Sequence, residues 1–259
     1  IGSLLVGVSF AKALSFRLRI PLVGVNHLEA HLSANFIGQK EPSRYIGLLV
    51  SGGHTSLSYH EKGKAMLLGS TVDDAAGEAY DKVAKILGLG YPGGPILDKL
   101  AQKGNAKAFS FTKPKQENRF DFSFSGIKTA VLYKVNRVSL RAPEMKPRRR
   151  GILPRAGNYI IRGETPRLRN FYTAPRNDGG SFSPDFACDI AASFQQAVVG
   201  WLVEKTLEAA VAKKVKDIVV GGGVSANSKL REVLTEEGKK RGIRSFGLRE
   251  FTPDPSSRS

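Results

Sequence analysis

The sequence is poor in cysteine and in acidic residues, and both shortages limit the classes of protein to consider. Cys188 is the single cysteine in 259 residues, so the chain cannot form an intramolecular disulfide. A chain of this size without disulfides is typical of a reducing compartment, and we expect a cytoplasmic protein. Asp and Glu number 23 against 40 Lys and Arg, which gives a formal net charge of +17. This charge favours a polyanionic partner, either nucleic acid or an anionic membrane surface.

Long hydrophobic runs and a targeting segment are also missing. No uninterrupted apolar run reaches the roughly 18 residues that a membrane-spanning helix needs, so we expect no membrane partner. The apolar opening at 1–10 has no basic residues before it, and Lys12 follows closely, which is unlike a signal peptide. The absence of an initiating Met leads us to expect that the natural start lies upstream.

Strand and helix patterns alternate along the chain. Apolar runs predict buried strands at 21–25, 45–50 and 217–220, and a hairpin over 56–68. Apolar residues at helical spacing predict helices over 4–14 and after residues 26, 77, 189 and 227. This order predicts an α/β fold whose sheet is at least partly parallel.

A basic segment interrupts this pattern. Residues 134–180 hold 12 Lys and Arg against three acidic residues and lack sustained apolar periodicity. We therefore predict a mobile basic insertion at 136–180, which divides a catalytic region made of 1–135 and 181–259. The insertion could bind RNA phosphates, with aromatic residues available to stack on bases. The alternative is an insertion that is basic by chance.

Two histidines are candidates for metal binding. His27 and His31 are four residues apart, so on a helix they share one face about one turn from each other. Two ordinary histidines near a helix start are the alternative, because two ligands do not complete a protein metal site. Glu29 projects away from the pair, whereas the glutamate of zinc peptidases directly follows the first histidine.

Two glycine turns are candidates for anion binding. Gly52-Gly53 follows the predicted strand at 45–50, and the turn at 221–223 runs from the strand at 217–220 into the helix that begins near Asn227. Closely spaced glycines let backbone N–H groups approach a phosphate, and a helix N-terminus favours negative charge. A plain tight turn is the alternative for each, and neither matches the P-loop or the dinucleotide fingerprint.

Acidic residues concentrate at 73–81, around a predicted helix start. Such residues usually complement the helix dipole, but Asp81 lies beyond the first turn and could reach a ribose or another hydroxyl-bearing ligand. The run at 122–129 combines aromatic and hydroxyl side chains with Lys128. It could line a substrate cleft or pack the end of a strand.

Taken together and in order, six motifs resemble the TsaD/Gcp family. They are HLEAH at 27–31, LVSGGHT at 49–55, DDAAGEAYDK at 73–82, YPGGP at 91–95, DFSFSGIKT at 121–129 and GGVSAN at 222–227. The resemblance covers residues 1 to about 133 and 181 to about 243. It implies an actin-like ATPase fold of the Hsp70 and sugar-kinase type, here with an incomplete first lobe.

The resemblance also implies an activity, a cofactor and partners. Members transfer a threonylcarbamoyl group from threonylcarbamoyl-AMP to the adenosine at position 37 of tRNAs that read codons starting with A. It implies one divalent metal ion, iron or zinc, on His27 and His31, and TsaB-like and TsaE-like partner proteins. The implied substrate contacts are Leu49, Val50, Ser51, Gly52, Gly53, Asp81, Gly94 and Asn227.

The sequence departs from the family at both ends. A Gly-rich first phosphate turn would lie before Ile1, and the Thr-Asp-Asn motif that carries the third metal ligand is replaced by FTPDPS at 251–256. We therefore expect a chain truncated at both ends, with no third ligand assigned. Two alternatives remain open, a metallopeptidase that acts on glycoproteins and an inactive truncated paralogue.

Overall fold

The computed structural model describes residues 2–141 and 184–247. The helices of this part are α1 (Gly2–Leu18), α2 (His27–Ser33), α3 (Ala76–Ile86), α4 (Gly93–Ala101), α5 (Ser125–Arg141), α6 (Pro184–Ala212) and α7 (Ser228–Lys240). The strands are β1 (Arg44–Val50), β2 (Thr55–Glu61), β3 (Lys64–Ser70), β4 (Asp217–Gly221) and β5 (Arg244–Phe246). Short 3-10 turns at Ala34–Phe36 and Gly223–Ala226 follow α2 and β4.

The five strands form one mixed sheet in the order β3-β2-β1-β4-β5. β1, β2 and β3 are successive antiparallel neighbours, whereas β4 is parallel to both β1 and β5. Leu48 in the central strand faces Leu57 of β2 and Val220 of β4, and all three side chains are buried. The predicted α/β class with a partly parallel sheet is therefore confirmed.

α6 is the central helix of the core. Ile190, Phe194 and Leu202 are fully buried, and the helix packs against α4, α7 and β1. Its segment Asp185–Ala212 has a mean hydropathy of 1.3 and is long and apolar enough to cross a membrane, although it contains no uninterrupted apolar run of that length. Because 72% of its apolar window is buried inside the protein, this helix fits the core of a globular domain.

The N-terminal part of the chain follows the predictions only in part. α1 is helical, as its apolar spacing predicts, but many of its apolar side chains are exposed, including Phe10 and Phe16. The predicted strand at 21–25 is wrong, because these residues are exposed and form no strand. A strand needs a neighbour for its backbone hydrogen bonds, and none of the described strands lies beside this segment.

Three further elements differ from the sequence predictions. Gly88, with φ of +71°, lies just past the end of α3 as predicted, but Gly93 and Gly94 begin α4, a helix that we did not predict. β5 was also missed. α5 continues to Arg141, so the first residues assigned to the mobile insertion, 136–141, are helical. The rest of that segment, 142–180, lies outside the described residues.

Candidate functional site

Both glycine turns lie at the same edge of the sheet, where the parallel strands β1 and β4 end. Leu49 pairs with Gly221, and Gly222, with φ of +91°, is so close to the Val50 carbonyl that a Cβ atom would collide with it. Only glycine tolerates both the backbone angle and this contact. Ligands of α/β proteins commonly bind outside the carboxyl ends of parallel strands.

The first turn is closed by Ser51 and His54. The Ser51 N–H donates to the His54 carbonyl at 2.8 Å, and the His54 N–H donates to Ser51 Oγ at 3.0 Å. A Cβ atom at Gly52 or Gly53 would meet nothing within 4 Å. Packing within the protein therefore does not require glycine at either position, and the space above the turn is open to a ligand.

The start of α3 lies directly against this turn. A Cβ atom at Gly77 would be 2.7 Å from the Ser51 carbonyl oxygen, and the Gly77 N–H donates to that oxygen at 3.2 Å. Leu49 and Val50, two predicted substrate contacts, are buried in β1, so their side chains are part of the core. Of the substrate contacts predicted at 49–53, Gly52 lines a cavity that lies beside this turn.

This cavity has a volume of about 790 Å³ and lies between the two glycine turns, α3 and α4. Four predicted substrate contacts line it: Gly52, Asp81, Gly94 and Asn227. Its wall also contains Tyr80, Tyr91, Asp98 and Arg231. The volume is within the range of about 300–1,000 Å³ that is usual for small-molecule sites.

Asp81 connects α3 to the start of α4. Its Oδ1 accepts a hydrogen bond from the Gly93 N–H at 2.7 Å. A Cβ atom at Gly94 would meet nothing within 4 Å, so this part of α4 is open towards the cavity. The Asp81 carboxylate is therefore held at the cavity wall by a bond to one of its two oxygens.

Asn227 is the N-cap of α7 and a member of a buried polar network. Its Oδ1 accepts from the Leu230 N–H at 2.9 Å, and its Nδ2 donates to Gln195 Oε1 at 3.0 Å and to Asp98 Oδ1 at 3.3 Å. Asp98 also accepts from the N–H and the hydroxyl of Ser228. The oxygen and the nitrogen of the Asn227 side chain thus both bind other groups of the protein. These bonds fix the second glycine turn relative to α4 and α6.

The sequence did not reveal Asp98, which lines the cavity, or Gln195, which binds Asp98 and Asn227. Asp98 lies on α4, whose Gly-Gly-Pro beginning hid the helix, and Gln195 lies on α6 among apolar residues. Their partnership joins distant parts of the chain, and no local spacing predicts such a contact.

The remaining acidic residues of 73–81 stabilise the protein. Asp73 Oδ1 accepts from the N–H groups of Phe124 and Ser125 at the start of α5. Asp74 forms ion pairs with Lys82 at 2.6 Å and Lys128 at 3.0 Å. Burial raises the pKa of Asp74, but the hydrogen bonds from both lysines outweigh that effect and hold it below its usual value. In the 122–129 run, Phe122 and Phe124 are buried and Ser125 begins α5, so the run leads into a helix and does not lie at the end of a strand.

The histidine pair lies on α2, near the same edge of the sheet. The Asn26 side chain caps this helix by accepting from the Leu28 and Glu29 N–H groups. The rings of His27 and His31 meet edge to face with centroids 4.6 Å apart. A Cβ atom at Gly221 would be 2.7 Å from the His31 carbonyl oxygen, which places α2 against the end of β4.

Two imidazoles at this separation, with His27 exposed, fit as part of a metal site. No group of three or more potential metal ligands occurs among residues 2–141 and 184–247. Asp254, the aspartate nearest to the expected third ligand, lies outside the described residues.

Burial raises the pKa of Tyr45, and Glu41 and Glu29 add to the effect. The Glu29 carboxylate is thus close enough to β1 to act on Tyr45.

Comparisons with known proteins agree with the motifs. The family model described as TsaD, tRNA N6-adenosine threonylcarbamoyltransferase, matches residues 1–250. The protein of that name from Thermosipho melanesiensis is 43% identical over 94% of this chain and 62% of its own length. The one from Syntrophotalea carbinolica is 44% identical over 95% of this chain and 61% of its own. The chain therefore spans about three fifths of the length of these relatives.

A solved structure supports the fold. The crystal structure of HypF from T. kodakarensis superposes with a TM-score of 0.60 at 14% identity, over 95% of this chain and 36% of that one. At this identity the likeness concerns the fold alone. It agrees with the predicted actin-like ATPase fold, and together with the match over residues 1–250 it leads to one assignment. The chain belongs to the TsaD family of tRNA N6-adenosine threonylcarbamoyltransferases.

Proposed function

We propose that this protein transfers a threonylcarbamoyl group from threonylcarbamoyl-AMP to the exocyclic amine of adenosine 37 in tRNAs that read codons starting with A. The observation that carries the proposal is the cavity itself. Gly52, Asp81, Gly94 and Asn227 come from four separate parts of the sequence, yet all four line one space of about 790 Å³. A space of this size accommodates an adenylate.

The adenylate is held by backbone and carboxylate groups. The open turn at Gly52-Gly53 presents N–H groups without side chains in front of them, which suits a phosphate. Asp81 is anchored through Oδ1 to Gly93, and its Oδ2 is an acceptor for a hydroxyl of the ribose or of the threonyl side chain. Asn227 acts indirectly, by fixing the turn at 222–227.

A divalent ion, iron or zinc, would be held by His27 and His31. When bound, it supplies a Lewis acid for the carbonyl group of the threonylcarbamoyl moiety. The described chain contributes the orientation of the two imidazoles through the Asn26 cap and the contact of α2 with Gly221.

The group transfer balances without an oxidant or a reductant. The adenosine N6 nitrogen forms a bond to the carbamoyl carbon, and the bond between that carbon and the phosphate oxygen breaks. AMP leaves with the electron pair of the broken bond, and the amine loses one proton to solvent. Holding the two substrates in one orientation is the main contribution expected of the cavity.

The charge of the protein suits the second substrate. A formal net charge of +17 attracts the phosphate backbone of tRNA and makes binding dependent on salt, because neutralised phosphates release counterions. The basic segment 136–180 is a candidate for part of this contact. TsaB-like and TsaE-like proteins are the proposed protein partners, in the cytoplasm.

The test is a modification assay. Purified protein is incubated with threonylcarbamoyl-AMP, unmodified tRNA and the TsaB-like and TsaE-like partners, and the tRNA is digested and its nucleosides are separated by mass. We expect threonylcarbamoyladenosine at position 37, and none in a tRNA with guanosine at that position. If the protein bound AMP but formed no product, the result would favour the alternative of an inactive paralogue. Cleavage of a glycoprotein in the same preparation would favour the metallopeptidase.

A further inference from the structure

Tyr91 is an exposed aromatic residue in the wall of the cavity. It is 85% exposed, whereas Tyr45 and Tyr80 are buried in the core. It directly precedes Pro92, the N-cap of α4, and both residues line the cavity. A large aromatic ring that stays in contact with water gains little from the hydrophobic effect. Packing within the protein therefore does not explain an aromatic residue at this position.

The ring belongs to an apolar part of the cavity wall. Pro92 and Pro95 follow Tyr91 in the chain and line the same space, and the second glycine turn adds Val224 and Ala226. Exposed apolar groups that gather in a concave site commonly mark the place where a ligand binds. A ligand with a flat, apolar face fits this part of the wall.

The position of Tyr91 suits the base of an adenylate. In the proposed site, the turn at Gly52 holds the phosphate and Asp81 holds a hydroxyl group. Asp81 Oδ1 accepts from the Gly93 N–H at 2.7 Å, and Gly93 lies two residues after Tyr91. A ribose bound at Asp81 therefore lies close to the segment that carries Tyr91. The base is the remaining part of the nucleotide, and its two faces are flat and apolar.

We propose that the ring of Tyr91 stacks on the adenine base of the adenylate and so contributes to nucleotide affinity. This inference rests on the proposed nucleotide site. Every base has a π-face, so stacking holds the base without reading the hydrogen-bonding groups at its edge. Binding also covers apolar surface of the ring that is exposed in the free protein.

The experiment compares AMP with ribose 5-phosphate, which keeps the sugar and the phosphate but lacks the base. Tyr91→Ala should weaken AMP binding by about fivefold or more in calorimetric titrations, the lower limit of what one stacked base contributes. Its affinity for ribose 5-phosphate should equal that of the wild type. Tyr91→Phe keeps an aromatic ring and should bind AMP about as well as the wild type. Neither variant should change the unfolding temperature, because Tyr91 is exposed.

Tyr133→Ala is the matched control. Tyr133 on α5 is also exposed, but it lies outside the cavity lining. Its removal should leave the affinities for AMP and for ribose 5-phosphate unchanged.

A fluorescent base gives a second readout that does not depend on affinity. The emission of 2-aminopurine riboside monophosphate falls when its base is stacked on an aromatic ring. With each protein saturated by this nucleotide, we expect strong quenching in the wild type and in Tyr91→Phe, and weaker quenching in Tyr91→Ala.

Unchanged AMP affinity in Tyr91→Ala would overturn the inference, and a raised KM for tRNA in that variant would then assign the ring to a base of the tRNA. An equal loss of affinity for ribose 5-phosphate would also overturn it, because the ring would then act on the sugar or on the shape of the cavity. Equal quenching in Tyr91→Ala and the wild type would count against stacking in the same way. Failure of the proposed site itself is visible separately, since in that case the wild type would bind neither AMP nor ribose 5-phosphate.

Discussion

The two halves of the candidate site differ in how the protein holds them. On the cavity side, Asn227 and Asp98 belong to a network that joins α4, α6 and α7, and Asn227 is only 8% exposed. On the histidine side, the geometry depends on α2, a helix of seven residues in which Leu32 is the buried side chain. Long-range packing fixes the cavity, whereas the spacing of two residues on one short helix fixes the imidazoles.

The histidine side should therefore be the easier of the two to break. Replacing either His27 or His31 with Ala removes one of the two described ligands, and we expect metal affinity to fall by about 100-fold or more. Folding should be little affected by the change at His27, because His27 is exposed. Elemental analysis of the purified variants gives the metal content. His54→Ala and His60→Ala, outside the pair, should keep the metal, and equal metal in all four variants would refute the assignment.

The cavity side should tolerate substitution better, and the protein should lose stability there only when the hydrogen-bond network around Asn227 is removed. Asn227→Ala removes the cap of α7 and leaves Gln195 with an unpaired buried amide oxygen. We expect a loss of about 2 kcal/mol in the free energy of unfolding. Urea denaturation measures this loss.

Asn26→Ala is the matched change on the histidine side. It removes the cap of α2, which is exposed, and should cost about 1 kcal/mol or less. Metal content should fall in this variant, and AMP affinity should not. If Asn26→Ala destabilised the protein more than Asn227→Ala, the contrast between the two sides would be wrong.

Ligand access to the cavity can be blocked without disturbing its frame. A Cβ atom at Gly52 would meet nothing within 4 Å, so we expect Gly52→Val to fold normally while its side chain occupies the approach to the turn. We expect AMP affinity to fall about tenfold or more in calorimetric titrations. Gly126→Val is the control, because Gly126 also has free space but lies outside the cavity. Equal affinity in both variants would show that the turn does not contact the nucleotide.

A pH-dependent effect concerns the ion pairs of Asp74 with Lys82 on α3 and Lys128 on α5. Asp74 has a lowered pKa in the folded protein, so its ion pairs with Lys82 and Lys128 stabilise the fold above its unfolded-state pKa. This stabilisation is lost as the pH falls through the lowered pKa. Asp74→Asn should therefore cost about 1 kcal/mol at pH 7 and progressively less in strong acid. Denaturation at several pH values tests this, and a constant difference would contradict it.

The difference between local and long-range contacts explains which features the sequence could predict. The hairpin of β2 and β3, the start of α2 after Asn26 and the closeness of His27 to His31 all depend on residues close together in the chain. Local spacing was enough for each. α4 was missed because glycines at its start usually interrupt helices.

Other features depend on partners that spacing does not reveal. The link between Asp98 and Gln195 joins α4 to α6 across a long stretch of chain. The apolar run at 21–25 looked like a strand, although no described strand pairs with it. Whether an apolar run becomes a strand is decided by its neighbours, and these come from elsewhere in the sequence.

The pairing of β1 with β4 has a consequence for synthesis of the protein. Ile46 lies opposite Ile218, so one edge of the central strand cannot be covered until the ribosome has made almost the whole sheet. At the usual elongation rate of about 5–20 residues per second, that interval is roughly 10–30 seconds. During this time an apolar strand edge is available to other nascent chains. Chaperones that bind early in translation would therefore raise the yield of soluble protein more than those that act after release.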